Sequence, residues 1–422
     1  MEIINNYGTI LVVLAAVFGF FMAWGIGAND VANAMGTSVG SKALTIKQAV
    51  IIAMIFEFAG AYLAGGEVTS TIRNGIIDSA AFVEHPDLLV FGMISALLAA
   101  GLWLLIASYC GWPVSTTHSI IGAIVGFAAV GVSPDIVSWG KITGIVGSWI
   151  VTPLIAGIIA YAIFMSAQKL IFNTDEPLKN AKRYVPLYMF LAGFMMSLVT
   201  IKKGLKHVGL HFDTLEAYGL AIIVGIIVAM VGKYFISRIK IDPKADKKMH
   251  YTNVEKVFAI LMVITACAMA FAHGSNDVAN AIGPLAAVVS IVNNHGEIAS
   301  KAVLEWWILP LGGVGIVLGL AIFGKRVIAT IGNGITHLTP SRGFAAELAA
   351  ATTVVIASGT GLPISTTQTL VGAVLGVGMA RGIAALNLGV VRSIVVSWVI
   401  TLPIGAFLSI MFFYMLKGMF SA

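Results

Sequence analysis

Two eight-residue stretches of the chain are nearly identical: Gly27-Ala28-Asn29-Asp30-Val31-Ala32-Asn33-Ala34 and Gly274-Ser275-Asn276-Asp277-Val278-Ala279-Asn280-Ala281. Each places one carboxylate and two amides inside an otherwise apolar run. A bare carboxylate in such surroundings is costly unless a cation, a proton or a hydrogen-bonding partner neutralises it. No Lys or Arg recurs beside both copies; Arg73 and Arg392 each lack a counterpart. Asn and Asp offer hard oxygen ligands, which suit a hard cation. Asn29, Asp30, Asn276 and Asp277 are therefore candidate metal ligands, with an Asn/Asp pair that holds a helix kink as the alternative. Asn33 and Asn280 fall on the same helical face as the preceding pair, where they either line the same cavity or bond neighbouring helices.

A second duplicated pattern carries hydroxyls. Trp112-Pro113-Val114-Ser115-Thr116-Thr117-His118 recurs as Leu362-Pro363-Ile364-Ser365-Thr366-Thr367-Gln368. Proline belongs at a helix start and not in its interior, and Ser and Thr are favoured N-caps. Each copy reads as the first turn of a helix that begins inside a membrane-length region. The free amides and positive dipole end of such a turn attract anions. Ser115, Thr116, Thr117, Ser365, Thr366 and Thr367 add donors without charge, so two such starts can grip a tetrahedral oxyanion from both sides. Ordinary helix capping after a tight turn is the plainer alternative. His118 and Gln368 hold matching positions, and either can donate to an anion oxygen; a lone His also serves as a packing residue. His273, just before the second octad, can line an access path. Glu57 and Glu347, the remaining acids in apolar segments, read as coupling-ion or gate residues or as structural carboxylates. Neither is obviously matched by repeat position; Glu305 falls at the equivalent of Glu57. Ser115 and His118 do not make a nucleophile–base set, because no third group orients the His and the other copy has Gln368. The chain is not expected to be an enzyme.

These residues are held by a very apolar chain. Of 422 residues, 59% are hydrophobic and 10% charged, against about 45–50% and about 25% in soluble domains; mean hydropathy is +0.96. The reading is an all-α integral membrane protein. Its 46 glycines fit close helix packing. Cys110 and Cys267 read as buried small hydrophobes, with no disulfide framework or zinc site. The net charge of +6 is spread over short loops, which points away from nucleic acid. The apolar run from Ile10 has no basic flank and reads as the first membrane helix rather than a signal peptide.

Apolar segments fall at 9–40, 48–65, 88–109, 114–130, 139–166, 185–200, 215–236, 254–291, 303–323, 345–359, 363–380 and 388–416. That gives about 12 membrane segments. The first and eighth exceed the roughly 20 residues of one span, so a helix break is expected at each Asn-Asp. Asn74-Gly75-Ile76 recurs as Asn333-Gly334-Ile335, and Ser148-Trp149 with Thr152 recurs as Ser397-Trp398 with Thr401. The chain divides into a first repeat (1–166), a two-helix spacer with a basic loop (167–250) and a second repeat (251–422). Five segments plus two is odd, so the repeats are inverted. The result holds if 88–109 and 114–130 form a re-entrant hairpin. One set of alternating loops, including Lys42, Lys47, Lys179, Lys182, Arg183 and the basic 237–253 loop, holds about twice the Lys and Arg of the other. That set is expected to face the cytoplasm, which places both termini outside.

The duplicated Gly-x-Asn-Asp-Val-Ala-Asn-Ala and Pro-x-Ser-Thr-Thr motifs resemble those of the inorganic phosphate transporter (PiT) family, over nearly the whole chain outside the spacer. The resemblance implies a secondary transporter in the cell membrane that imports inorganic phosphate by symport with sodium or protons, often as a homodimer, without an organic cofactor. It also implies that Asp30, Asp277, Glu57, Glu347 and the two hydroxyl motifs are functional positions. Some proton-coupled bacterial relatives carry His where this chain has Asn29; neither Asn29 nor Asn276 can titrate, so sodium is the expected coupling ion. Phosphate keeps a proton that it can donate to a carboxylate, whereas sulfate is only repelled; sulfate transport and a passive anion channel are the rival readings.

Overall fold

The computed structural model describes residues 2–202, 205, 209–241, 251–298, 304–331, 338–382 and 388–420. Within a bilayer every backbone donor and acceptor needs an internal partner, which helices supply. Accordingly the described residues are almost entirely helical, with one isolated bridge between Ile77 and Val137. The first half runs α1 (Glu2–Gly40), α2 (Ile46–Ala64), short α3 (Gly66–Asn74), α4 (Pro86–Cys110), α5 (Thr116–Gly126) and α6 (Trp139–Ala167). Helices α7 (Pro177–Lys202) and α8 (Thr214–Ser237) follow as an antiparallel pair. The second half runs α9 (Thr252–Asn293), α10 (Ile308–Ile331), α11 (Pro340–Gly359), α12 (Thr366–Arg381) and α13 (Leu388–Phe420). Among the described residues, eight helices are long and apolar enough to cross a membrane; the 116–132 and 308–324 segments are shorter apolar helices.

Local signals place the helix ends. Thr45 and Gln48 form a capping box at α2, as Asp213 and Glu216 do at α8, each satisfying two otherwise orphaned amides. Helix α4 starts on Pro86 and stops at Gly111, whose φ of 70° lies in the left-handed region. Glycine enters that region without steric cost, and the turn it makes sends the chain back into α5. Gly361, with φ of 72°, makes the matching turn between α11 and α12.

Three expectations need correction. The helix breaks at the Asn-Asp pairs do not occur: α1 spans 39 residues and α9 spans 42, each continuous through its octad. The glycines there serve close packing instead. A Cβ on Gly27 would meet the Ile316 carbonyl, and one on Gly274 would meet the Glu57 carbonyl. Irregular backbone is found in the two hairpins, before Thr116 and before Thr366. The second correction concerns Glu305, which precedes α10 and accepts from Asn293 at 3.4 Å, so it is not the counterpart of Glu57. The packing identifies that counterpart as Ile316. The third concerns the cysteines: Cys110 is exposed and Cys267 half-buried. Asn333–Ile335 and most of the 237–253 loop lie outside the described residues.

The two halves pack by mirrored contacts. Gly60 of α2 seats on the Phe271 carbonyl of α9, and Gly319 of α10 seats on the Trp24 carbonyl of α1. The hairpin helices cross between halves. Gly122 of α5 lies on the Leu402 backbone of α13, while Gly372 of α12 lies on the Pro153 backbone of α6. Each half thus supports the other's hydroxyl-bearing helix. Adding a methyl at a backbone-facing glycine forces helices apart and costs about 1–3 kcal/mol or more. Gly274→Ala is expected to lower the thermal midpoint of the purified chain markedly. Gly144→Ala, where nothing lies within 4 Å, leaves it unchanged or raised. Unfolding curves in detergent check both.

Candidate functional site

The octads of α1 and α9 face the starts of α5 and α12 in the protein interior. Asn29, Asp30, Asn276, Asp277, Asn280 and all six hydroxyl residues are buried. The sequence motifs are therefore brought together, and each residue type has a distinct job.

The first Asn of each octad holds a hairpin. Asn29 Nδ2 donates to Ser108 Oγ (3.2 Å) and to the Trp112 carbonyl (3.0 Å), and its Oδ1 accepts from the Val114 amide (3.2 Å). Asn276 repeats this with Ser358 Oγ (3.0 Å) and the Leu362 carbonyl (3.3 Å). Rotating that amide directs its nitrogen to the Ile364 carbonyl and to Asp277 instead; in either orientation it ties α9 to the second hairpin. Asn29 and Asn276 thus hold the hairpins, because irregular backbone buried in a membrane must find partners. Ser108 and Ser358 were not apparent from the motifs. Their separation of 250 residues, equal to that of Ser115 and Ser365, is the sequence signal that finds them.

Ser115 and Ser365 are the N-caps of α5 and α12, accepting from the amides of His118 and Gln368 at 3.3 Å. Their acceptor capacity serves the helix start, as the plainer alternative held. Three of the four threonines turn to the acids, while Thr117 Oγ1 donates to the Ile364 carbonyl (2.8 Å). Thr116 Oγ1 donates to Asp30 Oδ2 (2.7 Å), and Thr366 Oγ1 donates to Asp277 Oδ2 (2.9 Å). Thr367 reaches across the halves to Asp30 Oδ1 (2.9 Å). Asn280 Nδ2 donates to Thr116 and Thr117 hydroxyls (3.3 and 3.1 Å), so it lines the same centre. The side chain of Asn33 lies outside the described residues.

His273 has a more central place than an access path. Its Nδ1 is 2.7 Å from Glu57 Oε2, and its Nε2 is 3.1 Å from Asp277 Oδ2. Ligand atoms of Asp30, His273 and Asp277 all lie within 4.8 Å of one another. Two carboxylates at that separation repel by about 3–4 kcal/mol at an effective dielectric of about 20, so a positive charge between them is strongly favoured. The position equivalent to His273 in the first half is Ile26, which like Ile316 is fully buried. The two halves therefore supply matching hydroxyl and acid residues, whereas the basic group comes from the second half alone.

Glu347 lies apart from this centre. It accepts from Thr37 and from Ser38 (2.6 Å) on α1 and from Thr265 (2.8 Å) on α9. His118 packs on the Trp149 ring at a centroid distance of 3.7 Å, in agreement with its packing role. His118 Nε2, Asn280 Oδ1 and Gln368 Oε1 are buried with hydrogen-bonding capacity unused.

Two half-sites facing each other within membrane-spanning helices, each closed by a helix start, are the arrangement of a secondary transporter. The chain belongs to the phosphate transporter family, whose profile matches residues 26–409, and so it is not an enzyme. A Haemophilus influenzae protein named, by inference, a phosphate permease is 62% identical over 424 residues, covering both chains fully. The chloroplastic inorganic phosphate transporter 2-1 of Arabidopsis thaliana is 42% identical over 96% of this chain and 71% of its own. A solved structure described as the sodium-dependent phosphate transporter matches with a TM-score of 0.89 at 41% identity, covering 97% of this chain and 99% of that one.

Orphaning a buried donor or acceptor costs about 1–3 kcal/mol. Asn29→Ala and Asn276→Ala should each lower the thermal midpoint, whereas Thr116→Val should lower it less. Melting curves of the three purified variants test the division between hairpin clamp and binding surface.

Proposed function

We propose that the chain imports inorganic phosphate by symport with sodium. The observation that carries this reading is the pair of buried acids, Asp30 and Asp277, set against the threonines of two opposed helix starts. Sodium ions enter first, coordinated by the two carboxylates and neighbouring hydroxyl oxygens, a hard donor set suited to a hard cation. Their charge converts a repulsive centre into one that attracts an anion. Phosphate then takes the first-turn amides and hydroxyls of Ser115–Thr117 and Ser365–Thr367, with Gln368 and Asn280 as further polar contacts. Without cations the acids repel phosphate, which couples the two fluxes. Each net positive charge carried inward gains about 2.3 kcal/mol per 100 mV. Glu57 and Glu347 act as coupling or gate residues, Glu57 through His273.

In this reading the Lys- and Arg-rich loops face the cytoplasm, both termini face outward, the membrane is the cell membrane and the working unit is a homodimer. His273 favours a second reading. Asn29 and Asn276 cannot titrate, but an imidazole between two carboxylates can, so a proton can replace a sodium ion.

Proteoliposomes with sodium and proton gradients imposed separately distinguish these readings. Sodium alone should drive uptake of labelled phosphate; uptake driven only by protons supports the second reading, and uptake indifferent to both supports a channel. Asp30→Asn and Asp277→Asn should each reduce sodium-driven uptake at least tenfold, and wild-type uptake in both variants would falsify the coupling scheme. Excess sulfate should leave phosphate uptake nearly unchanged, since it brings no proton to offer the carboxylates.

A further inference from the structure

Away from the central site, α7 and α8 stand off from α2 and α9 along part of their length and leave an apolar groove of about 490 Å3. That is within the roughly 300–1000 Å3 of small-molecule sites. Its walls include Phe56 of α2, Met196 of α7, Val228 of α8, and Cys267, Ala268 and Phe271 of α9. At one end the three helices close together: a Cβ on Gly232 would meet Met189 Sδ and approach Ile264 at 3.4 Å. The mouth is bordered by Ile227 and Val231, both exposed.

The chemistry of the walls restricts the occupant. The two hydroxyls that line the groove are already used within α7. Ser197 donates to the Gly193 carbonyl (2.6 Å) and Thr200 to the Met196 carbonyl (2.7 Å). Apart from the Cys267 thiol the groove presents hydrocarbon. All its walls belong to helices that qualify as membrane spans, so the medium at its mouth is lipid rather than water. The volume also argues against a protein helix. With a diameter of about 10 Å and a pitch of 5.4 Å, roughly one helical turn would fill it. A single flexible hydrocarbon chain can enter a blind slot of this kind and fill it.

We propose that this groove is a binding site for one acyl chain of a membrane lipid. The chain completes the packing of the α7–α8 pair against the rest of the protein. Its inner wall is continuous with the hydrogen-bonded Glu57–His273 pair: Phe56 adjoins Glu57, and Phe271 lies two residues before His273 on the same helix.

The test uses the full chain in detergent, titrated with phosphatidylcholine carrying a diazirine midway along one acyl chain, with adducts mapped by peptide mass spectrometry. The expected result is saturable labelling of 192–201 and 264–271, at least fivefold above the lipid-facing stretch of α6 that contains Ile150, Leu154 and Ile158. Ala268→Phe, or Cys267→Trp if the first variant is not monodisperse, should remove that excess and leave α6 labelling unchanged. Groove labelling no higher than on α6, an excess that persists in both filled variants, or a Cys267–Cys267 cross-link between two copies would overturn the proposal. None of these readouts depends on which ion drives transport.

Discussion

Two carboxylates buried within 4.8 Å of each other are the constraint around which the protein is arranged. Like charges at that distance are unstable together in a poorly polarisable interior. Threonine hydroxyls donate to both, His273 bridges Asp277 to Glu57, and the positive ends of α5 and α12 point into the same region. The arrangement lowers the repulsion without cancelling it, and a centre in that condition has a standing demand for cations. Pairing each acid with its own Lys or Arg would satisfy that demand permanently.

The hairpins make this possible. A helix start in the middle of a membrane leaves amides and carbonyls that must be matched by protein. Asn29 with Ser108, and Asn276 with Ser358, provide that match. The hairpin helices then lean on the opposite half, α5 on α13 and α12 on α6, so neither half is complete alone. The glycines at these crossings allow backbone to touch backbone, which is the main source of helix association where lipid and side chains are equally apolar.

Duplication does not make the halves equivalent. Glu57 and His273 on one side correspond to Ile316 and Ile26 on the other. Glu347, with its ring of hydroxyls, corresponds to the buried Leu97. The polar residues beyond the centre are concentrated on particular helices, and their mirror positions are sealed with aliphatic packing. A transporter that must treat its two faces differently needs such inequality, because a symmetric scaffold would respond alike from both.

Composition and the repeated motifs determined much by themselves. Long apolar runs in a bilayer favour helices, and proline followed by hydroxyls favours a helix start, so the class, most segments and the two half-sites were legible. The inverted duplication of both motifs pointed to two half-sites around one centre. Tertiary structure decided what each polar atom does. The hairpin-holding bonds of Asn29 show only when Val114 and Trp112 are seen beside it, and the long helices read as broken until Gly27 and Gly274 are found against carbonyls of α10 and α2. His273 looked peripheral because its partners, Glu57 and Asp277, lie 216 residues before it and one turn after it. Hydrogen bonds and charge pairs act over about 3 Å, and no spacing along a chain fixes which distant atoms come that close.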